Sequence, residues 1–115
     1  MTEYEVGQLA RSLAGHDKGQ IFVVVKIEED YIWLADGKNR LLTNPKKKKI
    51  RHIQKINTNI YDLSRDVDIH NFKDIDVRNS IEMYLKKISV IMTKNTITKM
   101  KLLKKLKMKL NLKKI

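Results

Sequence analysis

The rhythm of apolar and polar positions changes twice along this chain. Between residues 6 and 56, apolar residues come in short runs rich in β-branched and aromatic types, separated by glycine, asparagine and charge. Such runs predict strands. Gln8–Ser12 is the first, with Leu9, Arg11 and Leu13 on one face and Gln8, Ala10 and Ser12 on the other. Ile21–Ile27 is the second and reads as a central strand. After a polar turn at Glu28-Glu29-Asp30, Tyr31–Ala35 is the third and carries the only tryptophan, Trp33. Asp36-Gly37 is a hairpin signal, which places a fourth strand at Arg40–Thr43. Asn44-Pro45 ends that strand, because proline cannot donate to a ladder. Lys46–Lys49 follows as a basic run, and Ile50–Ile56 makes the fifth strand.

Five short strands joined by tight turns predict a mainly β unit, a small closed or half-closed barrel with few open edges. Leu9, Leu13, Val23, Val25, Ile32, Leu34, Leu41 and Ile53 are the expected core. Phe22, Val24 and Trp33 make the other strand face just as apolar, so the pattern leaves open which face is inside.

After residue 73 the period lengthens. Residues 57–73 are irregular, with Asn57, Asn59 and Asn71 as turn formers. Residues 74–88 predict a helix with Asp74 as N-cap and Lys86-Lys87 in the last turn. Its stripe of Val77, Ile81, Tyr84, Leu85 and Ile88 is suited to packing on the barrel. In residues 90–115, Leu106, Met108, Leu110 and Leu112 follow a strand period while Leu102, Leu103, Leu106 and Leu110 follow a helical one. The periods compete, and the intrinsic preference of Met, Leu and Lys tips the segment toward helix. The expected organisation is a barrel over 1–56, a linker and packed helix over 57–89, and a Lys-rich extension, helical or disordered, over 90–115.

Charge narrows the classes of partner. The chain has 115 residues, with 25 Lys and Arg against 13 Asp and Glu, a net charge of +12. The excess is uneven: residues 1–56 carry 11 basic and 7 acidic side chains, residues 57–89 carry 5 and 6, and residues 90–115 carry 9 and none. This balance favours a polyanion, either a nucleic acid or an anionic membrane surface. There is no cysteine, which excludes disulfides, thiolate catalysis and Cys-based zinc sites and suits a cytoplasmic protein. The acidic opening Met-Thr-Glu-Tyr-Glu does not read as a signal peptide, and the longest apolar run, Ile21–Val25, is too short to span a bilayer.

The candidate chemistry is binding. Gly15-His16-Asp17-Lys18-Gly19 lies between the first two strands, where two glycines four apart permit a tight positive-φ loop and close approach of backbone N–H groups. His16 and Lys18 within it can meet a phosphate. Lys46, Lys47, Lys48 and Lys49, followed by Arg51 and His52, exceed what solubility requires and read as phosphate contacts. Arg11, Lys38 and Arg40 are single bases that suit either a contact or an ordinary exposed position. Trp33 is expected in the core, whereas Tyr31 is open between core and base stacking. His16, His52 and His70 are too scattered for a metal site, and Asp66-x-Asp68 lacks the glycine and glutamate of a calcium loop. No cofactor fingerprint or catalytic pair is present, so no enzyme and no cofactor are expected.

The ordered set Val6-Gly7-Gln8, Ser12–Gly19, Phe22–Val25, Ala35-Asp36-Gly37 and Asn44–Ile53 resembles the KOW-motif family of SH3-like barrels. It is most similar to the eukaryotic and archaeal type of ribosomal large-subunit protein and its small bacterial RNA-binding relatives. The resemblance implies a five-stranded barrel that touches RNA, ribosomal RNA first, through the Gly15–Gly19 loop and the basic exit Lys46–His52. The helix at 74–88 resembles the short helix after the barrel in the bacterial relatives, and residues 90–115 have no counterpart. Three functions are therefore expected in order: RNA binding, docking on transcription or translation proteins through the acidic stretch 62–76, and membrane-surface binding through residues 90–115.

Overall fold

The computed structural model describes residues 4–64 and 66–112, apart from the side chains of 95–97, 102–103 and 106–112. Its elements are β1 (Gln8–Ser12), β2 (Ile21–Glu28), β3 (Tyr31–Ala35), β4 (Lys46–Lys49), a 3-10 turn at Ile50–His52, β5 (Ile53–Asn59), α1 (Ile60–Leu63) and α2 (Asp74–Leu112). All strand pairs are antiparallel, in the order β4-β3-β2-β1-β5. In a flat sheet β4 would lie about 14 Å from β1, three strand spacings away. Yet the Lys48 Nζ on β4 is 2.5 Å from the Ser12 Oγ on β1. The sheet therefore curls on itself, as in a small β-barrel, and the architecture is mainly β with a C-terminal helix.

The curl explains why both strand faces are apolar. Ala10, Phe22, Val24, Ile32, Leu34 and Ile53 fill the inside. Leu9, Ile21, Val23 and Ala35 point outward and are covered by Ile56, Ile60 and Val77, with Leu63, Val67, Ile69, Phe72, Ile81 and Tyr84 around them. Fully burying a side chain such as Leu9 or Phe22 contributes about 1.5–3 kcal/mol, so each face adds a substantial share. Leu13 and Leu41, expected in the core, are exposed, and Val25 is half-buried. Leu13 lies just beyond the end of β1, and Leu41 lies in a loop, so neither is held to a sheet face.

That loop is the main departure in β structure. Arg40–Thr43 forms no strand; residues 36–45 are one connection, and the basic run Lys46–Lys49 is itself the fourth strand. The Asp36 carboxylate closes the loop by accepting from the Lys38 and Arg40 N–H groups at 2.9 and 2.8 Å. Pro45 thus precedes a strand rather than ending one. The fifth strand starts at Ile53, three residues later than expected, because Ile50–His52 makes the 3-10 corner.

α2 begins as expected and runs far past residue 88, so Lys86-Lys87 lie within it rather than at its end. Asp74 is not its N-cap. The Asp74 carboxylate reaches out to accept the Leu42 N–H at 2.7 Å, while Asp76 accepts the Lys73 N–H at 2.8 Å and closes the first turn. Asp62 and Asp68 likewise accept backbone N–H groups, from Asn59 and His70. The chain divides into two units, 1–84 and 85–115. In the second, the helix exposes Leu85, Val90, Ile91, Met92 and Met100. The leucines of the competing periods, and residues 113–115, lie outside the described side chains. Among the described residues, no helix is long and apolar enough to cross a membrane.

Gly37 fixes how closely α2 approaches the 36–45 loop. Its φ is +74°, and a Cβ there would collide with the Asp74 carbonyl oxygen and come within 2.9 Å of the Arg78 N. Gly37→Ala is therefore expected to cost about 2 kcal/mol or more, combining overpacking with left-handed strain. Gly19→Ala has a similar φ of +90° but open space around it, and should cost only about 1 kcal/mol. Urea titration compares them directly; equal losses would show that helix approach does not constrain residue 37.

Candidate nucleic-acid interface

β4 consists of four lysines, and strand alternation sends them to two different environments. Its register against β3 pairs Leu34 with Lys46, Trp33 with Lys47, Ile32 with Lys48 and Tyr31 with Lys49. Lys46 and Lys48 therefore share the inner face of Leu34 and Ile32, while Lys47 and Lys49 share the outer face of Trp33 and Tyr31.

Lys48 is buried inside the barrel mouth. Its ammonium donates to the Ser12 Oγ at 2.5 Å, the Ala14 carbonyl at 2.6 Å and the Asp17 Oδ1 at 2.5 Å, which uses all three of its donors. Lys46 donates to the other Asp17 oxygen, Oδ2, at 2.5 Å. The Ser12 hydroxyl donates to Asp17 Oδ1 at 2.7 Å. Burial would raise the Asp17 pKa, but the hydrogen bonds from Lys46, Lys48 and Ser12 and the Lys48 charge outweigh it and hold the carboxyl far below its ordinary range. Lys48, expected among the phosphate contacts, is instead an internal anchor, and Lys46 is half-buried against the same carboxylate.

The anchor shapes the Gly15–Gly19 loop. Both glycines have positive φ, +87° and +90°, and neither Cβ position is crowded, so the need is for backbone conformation rather than space. The N–H groups of Lys18, Gly19 and Gln20 turn inward to the carbonyls of Gly15, Ser12 and Asp17. Two of the loop's five N–H groups, those of Lys18 and Gly19, are thus spent within the protein, and the loop presents the exposed His16 and Lys18 side chains. Leu13 N–H also bonds to the His52 carbonyl at 2.9 Å, which brings the 3-10 turn, with exposed Arg51, to the base of the loop.

The outer face carries the second half of the site. Trp33 is not in the core; it is half-buried on the outer face. The Lys26 ammonium lies 4.7 Å from the Trp33 ring centroid, and the Lys47 ammonium lies 4.3 Å from Tyr31 and 5.4 Å from Trp33. Lys26 reaches that ring because the β2–β3 register shifts between Val24 and Lys26, leaving Val25 as an extra residue. Lys26 also pairs with Glu28 at 3.0 Å, both side chains being exposed. Sequence reasoning missed Lys26 and Trp33 here. The available signal was the alternation of Tyr31 and Trp33 on a strand whose partner is made entirely of lysine.

The remaining candidates are dispersed. Arg11 is half-buried on β1, opposite Ile21 and Gln54. Lys38 is exposed and Arg40 half-buried in the loop that contacts the start of α2. Among the described residues, no cluster of His, Asp and Glu could hold a metal ion. No protein-family model matches the chain, and no match to it was found among curated proteins.

Asp17→Asn leaves the buried Lys48 without its counter-charge and should cost about 3–5 kcal/mol near neutral pH. In the wild type the Asp17 pKa is depressed on folding, so its contribution is complete above the ordinary value of 3.8 and is lost as pH falls below it toward the folded value. Denaturant midpoints taken across that acid range should therefore decline less steeply in Asp17→Asn than in the wild type. Replacing Lys48 by Met in the same background should restore part of the loss at neutral pH, because the stranded charge is gone.

Proposed function

We propose that this chain binds RNA, mainly through phosphate contacts from an oriented cationic surface on its barrel. The observation that carries the reading is the division of β4. Its inner lysines hold the loop that displays His16 and Lys18, and its outer lysines, Lys47 and Lys49, are exposed on a paired strand. Cations held by a folded scaffold fix the orientation of a phosphate backbone, and the net charge of +12 adds general attraction. Few residues are placed to read base edges, so low sequence specificity follows.

The motif order from Val6 to Ile53 resembles the KOW family, and the five-stranded curled sheet is compatible with an SH3-like barrel. That combination supports a KOW-type module working with the ribosome or another structured RNA, with ribosomal RNA as the first partner to test.

RNA affinity should fall steeply with salt, since each phosphate contact releases counterions. Replacing Lys47 and Lys49 together by Ala should weaken binding to unrelated RNAs about equally and reduce the slope of log affinity against log salt by about 2. Lys46 and Lys48 are left in place because they support the loop. Filter binding across a salt series measures both effects. Unchanged affinity and slope would move the site off β4.

A further inference from the structure

We propose, on the RNA-binding reading above, that Tyr31 and Trp33 form a stacking site for an unpaired nucleobase, so that the outer face takes single-stranded or looped RNA rather than duplex. The two residues lie two apart on β3 and share one face, about 6.7 Å from each other along the strand. That is about twice the 3.4 Å repeat of stacked bases. The apolar cover over the outer face reaches Val23 and Ala35 and includes neither aromatic residue. Tyr31 and Trp33 are both half-buried, with their bodies supported by the sheet.

The lysines complete the site. The Lys47 ammonium lies within cation–π range of both rings at once, and Lys26 lies over Trp33 from the opposite neighbouring strand. An ammonium over a half-exposed ring is held weakly, more weakly than a base stacked on the same ring. An arriving nucleotide can therefore take the ring while the displaced ammonium pairs with that nucleotide's own phosphate. Ring and charge both remain satisfied, which a ligand with charge alone does not achieve. Bases within a duplex are already stacked on one another and cannot make the exchange without unpairing. The partner chemistry is thus a planar base carrying an adjacent phosphate, and its charge is opposite to that of Lys26, Lys47 and Lys49.

Trp33 is the only tryptophan in the chain, so its emission reports on this site without labelling. The full chain is titrated with a short oligoadenylate, with an RNA duplex of equal phosphate number, and with polyglutamate, all at one low salt concentration. The expected result is a change in Trp33 emission with oligoadenylate and an affinity at least about 5-fold above that for the duplex. Tyr31→Leu keeps apolar bulk and leaves Trp33 in place. It should lower oligoadenylate affinity by about 5- to 100-fold and leave duplex affinity unchanged.

Oligoadenylate binding with no change in Trp33 emission overturns the stacking site while leaving the RNA reading intact, and this measurement needs no variant. Equal affinity for duplex and oligoadenylate does the same. Polyglutamate binding as tightly as oligoadenylate shows that the face recognises charge alone and also overturns the stacking site. Failure of both RNAs to bind overturns the RNA reading itself.

Discussion

A lysine ammonium enclosed in the mouth of the barrel is the constraint on which the rest depends. Burying a cation is costly unless it is paired and fully hydrogen-bonded. Lys48 meets that demand with a hydroxyl from β1, a carbonyl from Ala14 and a carboxylate from Asp17. These partners come from the opposite side of the curled sheet and from the loop that follows β1. The charge therefore ties β4 across the barrel. It also requires the loop to return Asp17 to the interior, and the two positive-φ glycines make that return possible. Barrel closure and loop conformation are one arrangement, held by one charge cluster.

The same strand produces the outer face. Because strand side chains alternate, a run of four lysines cannot place them all in solvent or all inside. Two anchor and two display. The displayed pair faces the aromatic residues of β3, and the extra residue at Val25 brings Lys26 to the other side of Trp33. A basic and aromatic surface thus follows from register, with no dedicated loop or helix to build it. This surface is rigid where it meets the sheet and adaptable at its lysine tips.

Period and turn chemistry made much of the barrel legible. Gln8–Ser12 and Tyr31–Ala35 were readable to the residue, and the second strand nearly so, because β-branched and aromatic runs bounded by glycine or acid have few other uses. The fourth strand was not readable. Four lysines have poor strand propensity, and their strand exists because β3 offers an edge and Asp17 neutralises the inward pair. Arg40–Thr43 looked more strand-like, but Asp36 captures two of its neighbouring N–H groups and Asp74 a third, so the segment is drawn into a loop. The candidate site was legible as a set of basic residues and not as a geometry. Which lysine is buried depends on pairing parity, which no local pattern contains. Trp33 was misplaced for the same reason: an aromatic residue on an apolar strand looks like core until its partner strand is known.

Charge in the two units has a different physical character. On the barrel, Lys26 and Lys47 sit beside the Tyr31 and Trp33 rings, and their stems start from paired strands. From Leu85 the helix continues to Leu112, and from residue 90 the sequence contains no acid. A helix advances only 1.5 Å per residue, so this segment concentrates positive charge along its length. Such charge raises the rate and general strength of attraction to any polyanion and falls off with salt over a Debye length. It does not dictate how the polyanion lies. Orientation must come from cations carried on a folded scaffold, and in this protein those stand on the outer face of β3 and β4 and on the loop tied down by Asp17. Whatever share of the attraction to a polyanion the helix supplies, any fixed orientation of it belongs to the barrel.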